Sequence, residues 1–185
     1  MIAFQKVKEL EKILRENLII QSELKPERVR NSLSIYGTQL DKLLSEEMYG
    51  SIEQSDCLLL FELNSRESTS DVSMTETEDN DDNSITYYKA FRLRVILYGD
   101  DSSDIALNLT ARFRTEEVRS HLYEQGVYLE KISDPFKLNE FKNETMWIRN
   151  DIEIDIGCKF KIQPINLDSN FIDITELNII QDEEE

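Results

Sequence analysis

The sequence predicts an α+β fold in which helices pack on one face of an antiparallel sheet of about four to five strands. Apolar and polar side chains alternate along Ile85–Tyr98 and again along residues 147–162, which is the pattern of long strands buried on one side. After the first of these strands, Gly99 and a polar run lead into a helix over residues 103–113 with one apolar face. This strand, turn and helix form the unit around which we expect the chain to fold.

The two long strands carry opposite charges on their polar sides. The first has Arg92 and Arg94, and the second has Asp151, Glu153 and Asp155. If the strands are antiparallel neighbours, their apolar sides cover the same helices and the arginines lie across from the acids. We therefore expect an outer sheet face that is charged but locally paired.

The chain before these strands begins with a predicted amphipathic helix over residues 2–18. Its apolar side chains recur at intervals of three and four residues: Phe4, Val7, Leu10, Leu14 and Leu18. Pro26 breaks the regular structure, and residues 29–35 alternate as a short strand that ends before Gly37. Residues 39–48 predict a small surface helix. Residues 57–63 form a compact apolar run that predicts a strand paired with Ile85–Tyr98.

The signals after the first long strand predict two short helices and another strand. Ser102 or Ser103 is a candidate N-cap of the first helix, and Thr115, followed by two glutamates, is the candidate N-cap of the second. Gly126 is expected to end the second helix in a left-handed conformation. Residues 127–132 alternate as a short strand, and residues 136–146 predict a polar loop that leads into the second long strand.

Residues 64–84 separate two predicted strands and are rich in acidic and small polar residues. They show no apolar periodicity, so we expect an acidic hairpin loop that cannot order itself by burial. Two interpretations remain open. The segment is a solvated loop, or it becomes ordered against, or repels, another component of an assembly. The candidate lumen or interface acids are Glu76, Glu78, Asp79, Asp81 and Asp82.

The chain is expected to form one domain over residues 1–164 and an extension over residues 165–185. The extension is too apolar for a solvated tail, and the predicted sheet is already complete before it. Such an arm often pairs with the exposed edge of a neighbouring subunit. The candidate inter-subunit contacts are Phe171, Ile172, Ile174, Leu177 and Ile179.

The composition limits the possible partners. The formal net charge is -17, with 39% apolar and 32% charged residues, which argues against a surface that grips nucleic acid phosphates. No apolar run approaches the roughly 20 residues that cross a bilayer, so no membrane contact is expected. The N-terminal helix does not resemble a signal peptide, and a cytoplasmic protein is expected.

No catalytic, cofactor-binding or metal site is predicted. The sequence contains neither a glycine-rich phosphate loop nor a nucleophile elbow, and it has only five glycines. Cys57 and Cys158 lie within apolar strand patterns and are expected to be buried and reduced. His121 has no partner at catalytic spacing and is expected on the surface. The acids of residues 151–155 alternate with core isoleucines, so they form a row rather than a metal cage.

Three segments in order resemble the neck and tail terminator proteins of tailed bacteriophages. They are LRVILYG (residues 93–99), VRSHLYEQGVYLEKISD (residues 118–134) and WIRNDIEIDIGCKF (residues 147–160). The resemblance covers residues 85–162. It implies a structural virion protein, not an enzyme and without cofactors, that forms a six-membered ring at the head-proximal end of a phage tail.

The resemblance also implies the partners of such a ring. It would end the tail tube, contact the tube or sheath protein, and join a neck or head-completion protein, with assembly in the host cytoplasm. DNA would pass through without specific binding, and an acidic lumen would lower its residence on the wall. The alternatives are another head-tail adaptor or collar protein, or an acidic DNA mimic that inhibits a nucleic-acid enzyme.

Overall fold

The computed structural model describes residues 3–31, 57–66, 85–142 and 145–162. Within these residues, three α-helices cover one face of a six-stranded sheet, so the predicted α+β class is confirmed. The helices are α1 (Val7–Ser22), α2 (Ser102–Phe113) and α3 (Glu116–Glu124), with a 3₁₀ turn at Pro26–Arg28. The strands are β1 (Val29–Asn31), β2 (Leu58–Ser65), β3 (Ile85–Tyr98), β4 (Val127–Ile132), β5 (Phe136–Lys142) and β6 (Thr145–Ile162).

The sheet is mixed rather than purely antiparallel. Its order is β1-β2-β3-β6-β4, with β5 also paired to β6. The pairs β2–β3 and β3–β6 are antiparallel as predicted, whereas β1 runs parallel to β2. A parallel neighbour needs a connection of about a dozen residues or more, and residues 32–56 are long enough to supply it. The predicted helix over residues 39–48 lies outside the described residues.

Strand β6 lies inside the sheet and is paired along both of its edges. Along one edge it pairs with β3 from Arg149 to Ile162. Along the other edge it pairs first with β5, then with β4, and finally with Phe4. The Phe4 N–H donates to the Lys159 carbonyl (2.9 Å), and the Lys161 N–H donates to the Phe4 carbonyl (2.9 Å). Phe4 therefore belongs to the sheet.

The start of the predicted N-terminal helix is wrong for this reason. The helix begins at Val7 instead of residue 2, because Phe4 pairs with β6 and its ring packs against Phe160 at 5.9 Å between centroids. Val7 itself is exposed. The buried face of α1 consists mainly of Leu10, Leu14 and Leu18, as the spacing predicted.

The turn between β3 and α2 confirms one predicted signal and corrects another. Gly99 ends the strand with a φ of 121°, which favours glycine. The N-cap of α2 is Asp101, and neither serine caps the helix. Instead, the Asn150 side-chain amide of β6 donates to the hydroxyls of Ser102 (2.9 Å) and Ser103 (3.2 Å). These two hydrogen bonds hold the start of α2 against β6.

The signals for α3 are confirmed. The Thr115 hydroxyl accepts a hydrogen bond from the Val118 N–H (3.4 Å), and two glutamates follow in the first turn. Gly126 has a φ of 86°, the left-handed conformation expected just beyond a helix. His121 is exposed on this helix, as predicted.

The polar loop predicted over residues 136–146 is wrong. Strand β5 pairs with the first part of β6 in an antiparallel hairpin, from Phe136 opposite Asp151 to Lys142 opposite Thr145. The sequence does not show this strand as an alternation of apolar and polar residues, because Phe136 and Phe141 lie on opposite faces and neither face is apolar throughout. A hairpin that extends past the helices does not need one apolar face.

One hydrophobic core lies between the helices and the sheet. The predicted apolar sides of the two long strands and of α2 contribute these residues to it: Leu93, Val95, Leu109, Phe113, Ile152 and Ile154. Cys57 and Cys158 are buried in the same core, as predicted. The interleaved positions of β3 and β6 face away from the helices.

Phe113→Ala is expected to destabilise the protein by about 3 to 5 kcal/mol, because Phe113 is fully buried and its removal leaves a cavity under the sheet. Urea unfolding followed by circular dichroism measures this free energy. Leu107→Ala on the exposed side of the same helix is the control and should change stability by less than about 0.5 kcal/mol. Equal midpoints for the two variants would contradict the position of Phe113 in the core.

Candidate functional site

Both sets of predicted site residues lie outside the described residues. The first set is the candidate arm contacts Phe171, Ile172, Ile174, Leu177 and Ile179. The second set is the acids of the predicted hairpin loop, Glu76, Glu78, Asp79, Asp81 and Asp82. They stay predictions, although Asn64 and Ser65, assigned to that loop, continue β2. The surfaces that the structure does describe are the outer sheet face, the β5–β6 hairpin and a groove beside α3.

The outer sheet face carries two buried aspartates that arginines hold from both sides. Asp155 accepts from Arg92 Nε (2.9 Å) and lies 3.1 Å from Arg66 Nη1. Asp151 accepts from Arg94 Nη2 (2.6 Å) and, through two parallel hydrogen bonds of 2.7 Å, from Arg149. Paired donors of this kind are the strongest protein hydrogen bonds, so both carboxylates are well satisfied despite their burial.

The pairs form two neighbouring clusters, one around Asp155 and one around Asp151, which together we call the outer ion-pair network. Its four arginines meet six carboxylates, those of Glu62, Glu130, Glu140, Asp151, Glu153 and Asp155. The predicted pairing of the two long strands is confirmed by Arg92 with Asp155 and by Arg94 with Asp151. Arg66 and Arg149 were missed, because their contacts depend on strand ends that the alternation alone does not position. Four cations against six carboxylates leave these pairs with a net charge of -2, so the face is locally paired but still acidic.

Two tyrosines extend the network at its ends. Tyr98 donates to Glu140 (2.7 Å) and Tyr88 donates to Glu130 (2.5 Å). Burial, and then the hydrogen bond to the carboxylate, raises the pKa of each phenol, so both remain donors at neutral pH. Tyr88 reaches Glu130 by crossing β6 over Gly157, where a Cβ atom would lie 1.4 Å from the phenol oxygen. Gly157 therefore allows this contact between strands.

The electrostatics of Asp151 follow from its partners. Burial would raise the pKa of Asp151, but the hydrogen bonds from Arg149 and Arg94 outweigh burial, and its pKa lies below the usual range. The carboxylate is therefore ionised throughout the neutral range. No group of three or more histidine, cysteine or acidic side chains in the described ranges is arranged to hold a metal ion.

The other half of the outer face is apolar. It consists of a second buried cluster on the same side of the sheet as the ion-pair network: Leu58, Leu60, Ile96, Tyr98 and Trp147. Tyr98 belongs to both halves, because its ring packs in the cluster while its hydroxyl binds Glu140. Arg149 also lies over the Tyr98 ring at 5.8 Å.

The β5–β6 hairpin exposes large apolar side chains. Phe136, Phe141 and Met146 are 64%, 66% and 55% exposed. Phe141 lies opposite Met146 across the hairpin, so the two form one contiguous surface near its tip. Contiguous exposed apolar surface marks contacts with other molecules. The sequence showed these residues but not their pairing.

A groove of about 490 Å³ lies between α3 and β4. Tyr123 and Tyr128 meet there in a perpendicular contact at 5.0 Å between ring centroids. The Arg119 guanidinium donates to the Leu129 carbonyl (3.2 Å) and fixes the helix against the strand. The remaining lining residues are Glu116, Ser120, Glu124 and Val127. His121 lies on the same helix outside this lining and contacts Gln125 (3.3 Å).

The two cysteines are buried and are expected to be unreactive. Each is a free thiol, and burial raises the pKa of both Cys57 and Cys158 to about 12. The thiolate, which is the reactive form, is therefore scarce at neutral pH.

Comparison with known proteins identifies one family. A family model described as phage neck terminator protein matches residues 49–184, which is well over half of the chain. The predicted resemblance is thereby confirmed. A search of curated proteins finds no match.

No helix in the described part of the chain is long and apolar enough to span a membrane.

Asp151→Asn is expected to cost about 1.5 to 3 kcal/mol at pH 7, because it removes a buried charge that two arginines bind. The folded pKa of Asp151 is depressed, so its contribution is complete above the unfolded pKa of about 3.9 and is lost as the pH falls through the folded pKa. Denaturant unfolding at several pH values measures this difference. The stabilities of wild type and variant should begin to converge as the pH falls below about 3.9, and they should meet only below the folded pKa of Asp151.

Glu153→Gln is the matched control on the same face of β6. Glu153 is half-exposed and lies 3.4 Å from Arg92, so its loss should cost less than about 1 kcal/mol. If Asp151→Asn cost no more than this control, or if its effect did not depend on pH, the ionised Asp151 would not be the centre of the network.

The native thiols are expected to react with a disulfide reagent at pH 8 on the order of a hundredfold or more slower than those of the unfolded chain, because burial restricts both access and ionisation. Absorbance of the released thiol, with and without denaturant, measures the rates. Ser120→Cys adds one exposed thiol as a positive control. Rapid reaction of the wild-type protein would contradict the burial of Cys57 and Cys158.

Proposed function

The chain belongs to the phage neck terminator protein family, and from this premise we propose that it forms a six-membered ring at the head-proximal end of a phage tail. As a member of this family it is a structural component of the virion neck and tail. In our proposal the ring ends the tail tube, contacts the tube or sheath protein, and joins the tube to a neck or head-completion protein. Its role is structural and not catalytic.

The observation that carries the ring is the hairpin of β5 and β6. Phe136, Phe141 and Met146 are exposed at one end of the longest strand, beyond the helices that cover the core. A monomer gains nothing from this exposure, whereas an assembly buries it. The hairpin therefore supports contact with other subunits or with a neighbouring virion protein.

The charge of the chain supports a role around a DNA channel. The formal net charge is -17, and all four arginines of the outer ion-pair network already contact carboxylates. These arginines are thus engaged within the subunit rather than offered to phosphates. A surface with an excess of negative charge repels DNA and lets it pass without retention.

The two predicted extensions enter this proposal as assembly elements. The arm, with Phe171, Ile172, Ile174, Leu177 and Ile179, would pair with the sheet edge of a neighbouring subunit or ring. The acids Glu76, Glu78, Asp79, Asp81 and Asp82 would line the lumen or an interface. The main alternative is another head-tail adaptor or collar protein, which would use the same surfaces with different neighbours.

An acidic DNA mimic is less well supported. A mimic presents an ordered row of unpaired acids to a basic enzyme. On the outer sheet face the ordered acids include Asp151 and Asp155, and arginines of the same chain neutralise both.

Deletion of the gene from the phage is the test of this function. We expect filled heads and separate tails, and restoration of intact particles when the protein is supplied in trans. In these particles, gold-labelled antibody against the protein should mark the junction of head and tail under the electron microscope. Label at another position would reject the neck assignment, and a monomer that binds a nucleic-acid enzyme would favour the mimic.

Truncation after Pro164 is expected to leave a folded chain but to give particles whose tails are missing or unattached, because the arm contacts a neighbour. Thermal unfolding of the purified protein and electron microscopy of complemented particles measure the two effects separately. The full-length chain supplied in the same way is the control. Failure of the truncated chain to fold, while the full-length chain is a stable monomer, would assign the arm to its own core.

A further inference from the structure

We propose that the tip of the β5–β6 hairpin of one copy binds in the groove between α3 and β4 of the next copy. This inference rests on the proposed ring and names the two surfaces that would form its contact. The occupant of the groove is therefore a second copy of this chain. The chemistry of the two surfaces and their positions at opposite ends of β6 support this pairing.

The hairpin supplies apolar and basic side chains on one face. Phe141 and Met146 lie opposite each other, and Lys137 is on the same face of β5 as Phe141. All three are exposed. Such a surface fits a recess that combines aromatic contact area with carboxylates.

The groove supplies these features. Tyr123 and Tyr128 give it an aromatic wall, and Val127 and Leu129 add aliphatic surface. Glu116 and Glu124 are exposed carboxylates of α3 that also line it, against the single cation of Arg119. Because Arg119 already donates to the Leu129 carbonyl, the acids are the groups available to an incoming lysine.

The charge of the hairpin is unusual for this chain. Residues 136–151, which form the paired hairpin, contain three basic residues, Lys137, Lys142 and Arg149, and three acidic ones, Glu140, Glu144 and Asp151. This segment is therefore neutral in a chain whose net charge is -17. Attraction between Lys137 and an acidic groove favours contact between copies that otherwise repel each other.

The positions of the two surfaces determine the kind of assembly. Met146 lies near the start of β6, whereas the groove strand residues Val127 and Leu129 pair with Cys158 and Ile156 near its other end. At roughly 3.3 Å per residue the two surfaces are about 35 Å apart. A contact between different patches at opposite ends is head-to-tail, and it closes into a ring when the rotation between copies permits.

The test is a disulfide between the two surfaces in the full-length chain. Phe141→Cys and Ser120→Cys are made as separate proteins, because both positions are exposed and Ser120 lines the groove. The two are mixed under mild oxidation, and in parallel are produced together in cells that assemble particles. We expect covalent dimers from the mixture and none from either variant alone, since a head-to-tail contact brings different patches together.

The controls separate this contact from random oxidation. Wild-type protein should not cross-link, because Cys57 and Cys158 are buried. Phe141→Cys mixed with Leu107→Cys should not cross-link either, because Leu107 is exposed on α2 outside both surfaces. In addition, Phe141→Asp should shift the sedimentation of the ring to that of smaller species, whereas Leu107→Asp should not.

Each other outcome overturns the inference in a recognisable way. Dimers of Phe141→Cys alone would show that hairpins meet each other. Rings without the mixed disulfide, in solution and in particles, would show that other surfaces form the ring and would leave the proposed function intact. A disulfide from the hairpin to a different virion protein would assign that protein as its partner. Failure of the proposed function itself would appear instead as loss of the label from the head-tail junction.

Discussion

The structure depends on the pairing of β3 with β6, two long strands that are each apolar on one side. Because side chains alternate across a strand, this single antiparallel register assigns Ile152, Ile154 and Ile156 of β6 to the core, and Asp151, Glu153 and Asp155 to the outer face. The free edge of β6 then accepts β5, β4 and Phe4 in succession. Helix positions follow from this sheet, since α2 starts where Asn150 binds Ser102 and Ser103.

The outer face shows how a strongly acidic chain keeps a charged sheet stable. Asp151 and Asp155 are buried, and a buried carboxylate without partners would be costly. Each is held by two arginines, and these arginines also reach the more exposed acids Glu62, Glu140 and Glu153. The rest of the formal net charge of -17 comes from residues outside these pairs.

The features that suit assembly lie at the ends of the sheet and away from its centre. The hairpin projects Phe141 and Met146 at one end of β6, and the aromatic groove of Tyr123 and Tyr128 lies at the other. The centre of the outer face, in contrast, is satisfied within the subunit. Our proposal therefore assigns the contacts between subunits to the ends of the sheet and not to its centre.

The sequence by itself determined the two long strands, their buried sides, and the caps at Thr115 and Gly126, because all of these depend on local periodicity or local backbone geometry. It also predicted that arginines of one long strand lie across from acids of the other, but the contact of Arg92 with Asp155 depends on the register of two distant segments. Only the tertiary structure decided the rest. The hairpin strand β5, the sheet pairing of Phe4, and the contact of Tyr88 over Gly157 depend on which distant segments meet. Phe136 and Phe141 face opposite sides, so no sequence period reveals their strand, and the exposed apolar surface of Phe141 and Met146 arises from strand pairing that a local pattern does not encode.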